Sequence, residues 1–227
     1  MTHPAQSITP RNRAEPAPLS HGQELFWLVD RANPGLVAYN VPRAFRVRGA
    51  LDVDALERAL NALIGRHEIL RSTYRLDGDH PVQVVQNDVR VPFERIDLSG
   101  ESAEAAEART AALLRERAAY HFDLSRDVLL RATVVRFGAN DHLFFYLSHH
   151  IVSDGWSKSL IFRDLSALYD HECGSAPALE PLTLQFADYA VWERNVLASS
   201  RPRITSNTGG SNWPPRCRCW SCPPTGR

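Results

Sequence analysis

The stretch LSHGQELFWLVDRAN, residues 19–33, sets Leu25, Phe26, Leu28 and Val29 at helical spacing behind Ser20, which is suited to cap the helix start; Asn-Pro-Gly follows as a stop. In YNVPRAFRVRG (39–49), Phe45 and Val47 alternate with Arg46 and Arg48, the period of a half-buried strand that Gly49 ends. The clearest helix lies in DVDALERALNALIGRHEILRSTY (52–74). There Leu56, Leu60, Leu63 and Ile64 recur on one face, Asp52 can cap the start and Gly65 stands near the end. HPVQVVQ (80–86) predicts a strand, the Ala- and Glu-rich segment 101–120 a helix, and LLRATVVRFGANDHLFFYLSHH (129–150) two strands joined by Gly-Ala-Asn-Asp. After Asp154 and Gly155, the positions of Leu160, Ile161, Leu165, Leu168 and Tyr169 mark an amphipathic helix, 172–182 a loop, and 183–198 a further short helix. Strands and helices mix without a regular βαβ repeat, so the pattern predicts an α+β layered fold.

Composition narrows this picture. With 227 residues and 44% apolar content the chain can bury a core, as one domain or as one large domain cut short. Lys+Arg and Asp+Glu balance at 26 each, which leaves no electrostatic footprint for nucleic acid or an anionic membrane. No run approaches the roughly 18 apolar residues of a membrane span, and the N-terminal segment has no apolar signal core. Cys173 stands alone while Cys217, Cys219 and Cys222 crowd together, which is not a disulfide framework; a reducing, cytoplasmic setting is expected. Residues 1–18, rich in Pro, Ala and polar side chains, are expected to form a flexible leader.

The chemistry-bearing stretch is SHHIVSDGWS, residues 148–157. Successive side chains of a strand point to opposite faces, so His149 and His150 do not share a site unless the strand has ended. That spacing argues against a common zinc, whose ligands on regular elements fall on one face. It favours one working imidazole, with a pKa near operating pH, beside a structural neighbour. Asp154 can orient that imidazole or pair with an arginine elsewhere, and Gly155 permits a conformation or close approach that a side chain would obstruct. From these residues alone, catalysis and a packed strand end both stay open.

Four stretches, LSHGQELFWLVDRANPGLVAYNVP, RHEILRSTY, SHHIVSDGWS and FADYAVWE, resemble in order and spacing the first four core motifs of the condensation domains of nonribosomal peptide synthetases. The resemblance covers residues 19–198. It implies a chloramphenicol-acetyltransferase-like fold, two lobes in a V, with a mixed sheet flanked by helices and a tunnel open to donor and acceptor carrier proteins. It also implies amide-bond formation between aminoacyl or peptidyl thioesters tethered through phosphopantetheine, with no cofactor bound directly and no metal. By resemblance His150 is the active-site histidine, a general base or a positioning partner of the amine, and His149 faces the core. Asp154 is then paired with an arginine of RHEILR, Arg71 before Arg66, while Gly155 allows backbone approach and Trp156 and Ser157 support the site. The paired histidines disfavour heterocyclising members, which carry aspartate. DGWS favours peptide-bond formation over epimerising relatives; these and a non-catalytic fragment that docks a carrier protein are the alternatives.

The domains of this family are longer by a whole second lobe, so 19–198 corresponds to the N-terminal lobe and the C-terminal lobe is expected to be missing. From Ser199 the periodicity stops, and 199–227 is dense in Pro, Gly, Ser, Arg and Cys. Permissible codons for residues 205–227, read two bases later, give LQHWRQQLAAALPVLELPTDR, which resembles the family's continuation after FADYAVWE. A frameshift near residues 198–205 is therefore expected to have produced an aberrant, disordered tail. The competing reading, a zinc knuckle of Cys217, Cys219 and Cys222, lacks a nearby fourth ligand.

Overall fold

The computed structural model describes residues 7–200. Helix α1 (His21–Ala32) starts in a capping box: the Ser20 hydroxyl accepts from the Gln23 N–H at 3.2 Å, and the Gln23 side-chain oxygen accepts from the Ser20 N–H at 3.0 Å. The face it buries differs from the apolar spacing. Gln23 and Trp27, one turn apart, are buried, while Leu25 and Leu28 are 60% and 52% exposed. Burying the polar Gln23 costs little because its amide donates to the Tyr74 hydroxyl at 3.1 Å and its oxygen accepts from Gln83 at 3.3 Å.

Helix α2 (Val53–Arg66) begins at Asp52, whose carboxylate accepts from the Ala55 N–H at 2.8 Å, and it buries Leu56, Leu60, Leu63 and Ile64. The helix ends at Arg66. A 3-10 turn (Glu68–Arg71) then leads into strand β3 (Ser72–Asp77), which the hydrophobic pattern does not mark as a strand. Strand β3 pairs antiparallel with β4 (His80–Val85), and β1 (Ala17–Pro18) adds to the other edge of β4.

The larger sheet has the order β2 (Asn40–Arg48), β7 (Asp141–His149), β6 (Leu130–Gly138), β5 (Phe93–Asp97). Its pairs are antiparallel except β5 with β6, so the sheet is mixed. Strand β5 is short and carries charges at Glu94, Arg95 and Asp97, and the pattern did not mark it. Helices α3 (Ala103–Ala118), α4 (Ser157–Glu172) and α5 (Phe186–Ser200) complete the described chain. Strand β7 is covered on both faces, which explains its nearly unbroken apolar run. On one face the Tyr146 ring meets Phe162 of α4 at 5.3 Å, and on the other His149 meets Phe122 at 6.1 Å.

The leader expectation needs correction over residues 11–18. The Arg11 N–H donates to Asp188 of α5 at 2.9 Å, Arg13 pairs with Glu68 at 2.5 Å, and Ala17 is buried in β1. Specific partners fasten this Pro-rich segment in place of an apolar stripe, a signal that composition does not carry. Residues 1–6 and the predicted tail from 201 onward, with Cys217, Cys219 and Cys222, lie outside the described residues; α5 itself runs through Ser199 and Ser200. No helix among the described residues is long and apolar enough to cross a membrane.

Candidate active site

Strand β7 ends at His149, and the chain then turns: the Val152 N–H donates to the His149 carbonyl at 3.2 Å and the Ser153 N–H to that of His150 at 3.4 Å. The buried Ser148 and Ser153 hydroxyls clasp the turn at 3.0 Å. His149 is buried, edge-on to Phe122 and Tyr39. Its Nδ1 accepts the Ile151 N–H at 3.1 Å, so the neutral ring carries its proton on Nε2. Burial, with smaller contributions from the His150 and His121 charges, pushes the His149 pKa down to about 4.

Between about pH 4 and 6.5 the unfolded chain therefore binds a proton here that the folded chain does not. Stability is full above that window and falls as the pH drops through it, by about 3 kcal/mol from this group. Urea unfolding at pH 7 and pH 4.5 checks this: the wild-type chain is expected to lose clearly more stability between the two than His149→Gln. Equal losses would contradict it.

His150 occupies a different environment one residue on. Its N–H donates to the Tyr39 carbonyl at 2.8 Å, and its ring stacks on Phe26 of α1, with centroids 4.9 Å apart and planes 29° apart. Nδ1 is sealed from solvent and has no hydrogen-bond partner among the described residues. The ring lines a pocket of about 400 Å³ whose apolar wall includes Phe26, Ile69, Leu70, Ile151, Trp156 and Leu160. With Nδ1 sealed, the nitrogen that can meet a ligand is Nε2, which is not sealed and makes no hydrogen bond with any described residue.

Asp154 meets no arginine among the described residues. Its carboxylate accepts the N–H and hydroxyl of Ser157, each at 2.7 Å, and these bonds hold it below the usual carboxylate range. Arg71 donates instead to the Gln86 carbonyl at 2.5 Å, and Arg66 to Asp164 at 3.0 Å. The reason is local: Ser157 lies only three positions beyond Asp154, within reach of a turn closed by the Asp side chain just before α4, whereas each arginine is held by other acceptors. Trp156 beside this turn is 80% exposed. Gly155 does not adopt a positive φ, and a Cβ built on it meets nothing within 4 Å, so no contact in the described chain requires glycine here. Gly155→Ala is expected to leave the stability unchanged or raise it slightly, by up to about 1 kcal/mol. A clear fall in a thermal melt would show a backbone requirement.

The family model described as Condensation domain matches residues 13–203. The chain belongs to the condensation-domain family. A linear gramicidin synthase of Brevibacillus parabrevis is 40% identical over 192 residues, 84% of this chain and 4% of that protein. Phosphinothricin tripeptide synthetase PhsC of Streptomyces viridochromogenes is 38% identical over 187 residues, 82% of this chain and 17% of that protein. Among solved structures, the X-domain from teicoplanin biosynthesis superposes with a TM-score of 0.74 at 34% identity, over 88% of this chain and 42% of the X-domain. The first condensation domain of the calcium-dependent antibiotic synthetase has a TM-score of 0.72 at 24% identity, over 82% of this chain and 44% of that domain, and shares the fold. This condensation-domain chain thus spans less than half of these solved domains and a small share of the synthetases it matches. Its architecture is the N-terminal part of the chloramphenicol-acetyltransferase-like fold.

Three features of this pocket carry no clear signal in the sequence. Phe26 counted only as part of an apolar stripe, yet it is the platform for His150. Tyr39 supplies a backbone carbonyl, for which no side-chain signal exists. His67 lines the same pocket and pairs with the buried Asp164 of α4 at 2.9 Å. The stretch RHEILR had drawn attention to its arginines alone. Among the described residues no cluster of three or more His, Cys, Asp or Glu side chains could hold a metal ion.

Proposed function

We propose that this lobe supplies the histidine wall of a centre that joins a donor aminoacyl or peptidyl thioester to the amine of an acceptor aminoacyl thioester. Both substrates are tethered through phosphopantetheine to carrier proteins, in a cytoplasmic synthetase, and no cofactor is bound directly. The observation that carries this reading is His150: a ring stacked on Phe26, on a backbone whose N–H donates to Tyr39, free of side-chain hydrogen bonds among the described residues, at the wall of an apolar pocket.

In the reaction the amine nitrogen attacks the thioester carbon; a C–N bond forms, the C–S bond breaks, the donor arm leaves as a thiol and the amine gives up a proton. His150 accepts a hydrogen bond from the amine, aims its lone pair, takes up that proton and returns it to the departing sulfur, so the ring ends neutral. His149 cannot do this, because its Nδ1 is engaged and its ring is buried. Asp154 and Ser157 hold the start of α4, and Gly155 leaves open space in which the tethered thioester can approach the backbone.

This chain spans less than half of the solved relatives, and we assign the facing wall of the tunnel to the remainder, so residues 19–198 alone are expected to be inactive in condensation. The tail from residue 199 is the product of a frameshift near 198–205. The test is condensation between loaded donor and acceptor carrier proteins with the 227-residue chain, a frame-restored chain and its His150→Ala form. Amide product is expected from the restored chain only. Product from the 227-residue chain contradicts the assigned inactivity, and undiminished product from the restored His150→Ala form contradicts the role of His150.

A further inference from the structure

The pocket that holds His150 has a second imidazole on its wall, and its surroundings fix which nitrogen it offers. His67 follows the last residue of α2, and its Nε2 lies 2.9 Å from Asp164 Oδ2. Asp164 is buried in α4, where its other partners are guanidinium groups: Arg66 Nε on Oδ2 at 3.0 Å, and Arg163 Nη2 and Nε on Oδ1 at 2.8 and 3.1 Å. Burial by itself would raise the Asp164 pKa; hydrogen bonds from Arg163, Arg66 and His67 outweigh it and keep the group a carboxylate.

A carboxylate only accepts, so His67 Nε2 must be the protonated nitrogen. Burial, opposed by Asp164, lowers the His67 pKa, so the neutral ring dominates at pH 7 and Nδ1 carries a lone pair. That nitrogen makes no hydrogen bond with any described residue and is not sealed; the side chain is 19% exposed, and His67 lines the pocket together with Ile69 and Leu70. An acceptor locked in orientation by a second residue, on an otherwise apolar wall, is the arrangement that recognises a single N–H donor.

We infer that His67, oriented by Asp164, is a substrate-binding residue whose Nδ1 accepts a hydrogen bond from an amide N–H of the tethered substrate, across the pocket that His150 serves. This rests on the pocket being the substrate pocket. The amide can belong to the pantetheine arm or to a peptidyl donor, and the chemistry of recognition is the same. His67 touches ligand and not the reacting atoms, so its loss weakens binding without abolishing proton transfer at His150.

The test uses the 227-residue chain with 15N-labelled histidine side chains and two probes. Acetyl-pantetheine has amides only in the arm; the N-acetylglycyl thioester of mercaptoethanol has its amide only in the donor. His67 should resonate as the Nε2–H tautomer, and at least one probe should shift its Nδ1 signal; the probe that does so identifies the source of the amide. His67→Gln retains an amide donor for Asp164 but loses the acceptor at the Nδ1 position. It is expected to melt like the wild type and to bind that probe about fivefold more weakly, the effect of one neutral hydrogen bond. His67→Ala, which loses both bonds, should weaken binding equally and also destabilise the chain. A His67→Gln chain that binds both probes at wild-type affinity, with the His150 signals still shifting, reduces His67 to a clamp and overturns the inference while the pocket assignment stands. If no probe shifts either histidine, the pocket assignment fails with it.

Discussion

His150→Ala in a frame-restored chain is expected to lower the condensation rate by about 10²- to 10⁴-fold, the range set by loss of a positioned general base. The fold should hardly register the change. The His150 side chain gives up one stacking contact with Phe26 and no hydrogen bond, and the backbone N–H that anchors it to Tyr39 is untouched by the substitution. The expected cost in stability is about 1 kcal/mol. A steady-state assay with loaded carrier proteins, run beside a thermal melt, separates the two quantities. An alanine variant that keeps the wild-type rate, or that loses rate only because it unfolds, contradicts the assignment.

Asp164→Ala should be the most damaging single substitution among the polar residues around the pocket. The carboxylate is buried and gathers Arg66, His67 and Arg163, joining the end of α2 to α4. Arg66 and His67 are themselves mostly buried, so removal of the acid leaves Arg66 Nε and His67 Nε2 without this partner, although Arg66 keeps its bond to the Glu180 carbonyl. Breaking such a pair costs about 3 kcal/mol, which for a domain of this size lowers the melting midpoint by roughly 6–12 °C. Arg163 is 69% exposed and adds little. A melt of Asp164→Ala beside Ser157→Ala, which affects only the exposed turn at Asp154, provides the contrast; similar small shifts in both would show that the buried network is not a keystone of the lobe.

Local regularities made much of the fold legible. Helix α2 declared itself through its cap and apolar face, and the β6–β7 pair through its apolar runs and the turn between them. What failed had a nonlocal cause. Helix α1 is turned by Gln23, whose burial depends on Tyr74 and Gln83, distant in sequence. Strand β5 is held by parallel pairing with β6, not by its own composition. Residues 11–18 are pinned by Glu68 and Asp188.

The site shows the same division. The alternation rule separated His149 from His150, because a strand's geometry is local. The partner of Asp154 differs from the expected arginine because a local turn closed on Ser157, three positions on, competes with any distant partner. His67 and Asp164 lie far apart in sequence, and only the packing of α2 against α4 makes them a pair.

The account turns on His150, and not His149, presenting its imidazole to the substrate pocket. A pantetheine analogue ending in a bromoacetyl amide tests this directly, because an accessible imidazole nitrogen displaces bromide and retains the adduct through peptide mass mapping. The predicted result is alkylation of His150 with none on His149, at a rate well above that given by bromoacetamide without the arm. Alkylation of His149, or an untouched His150, would contradict the account.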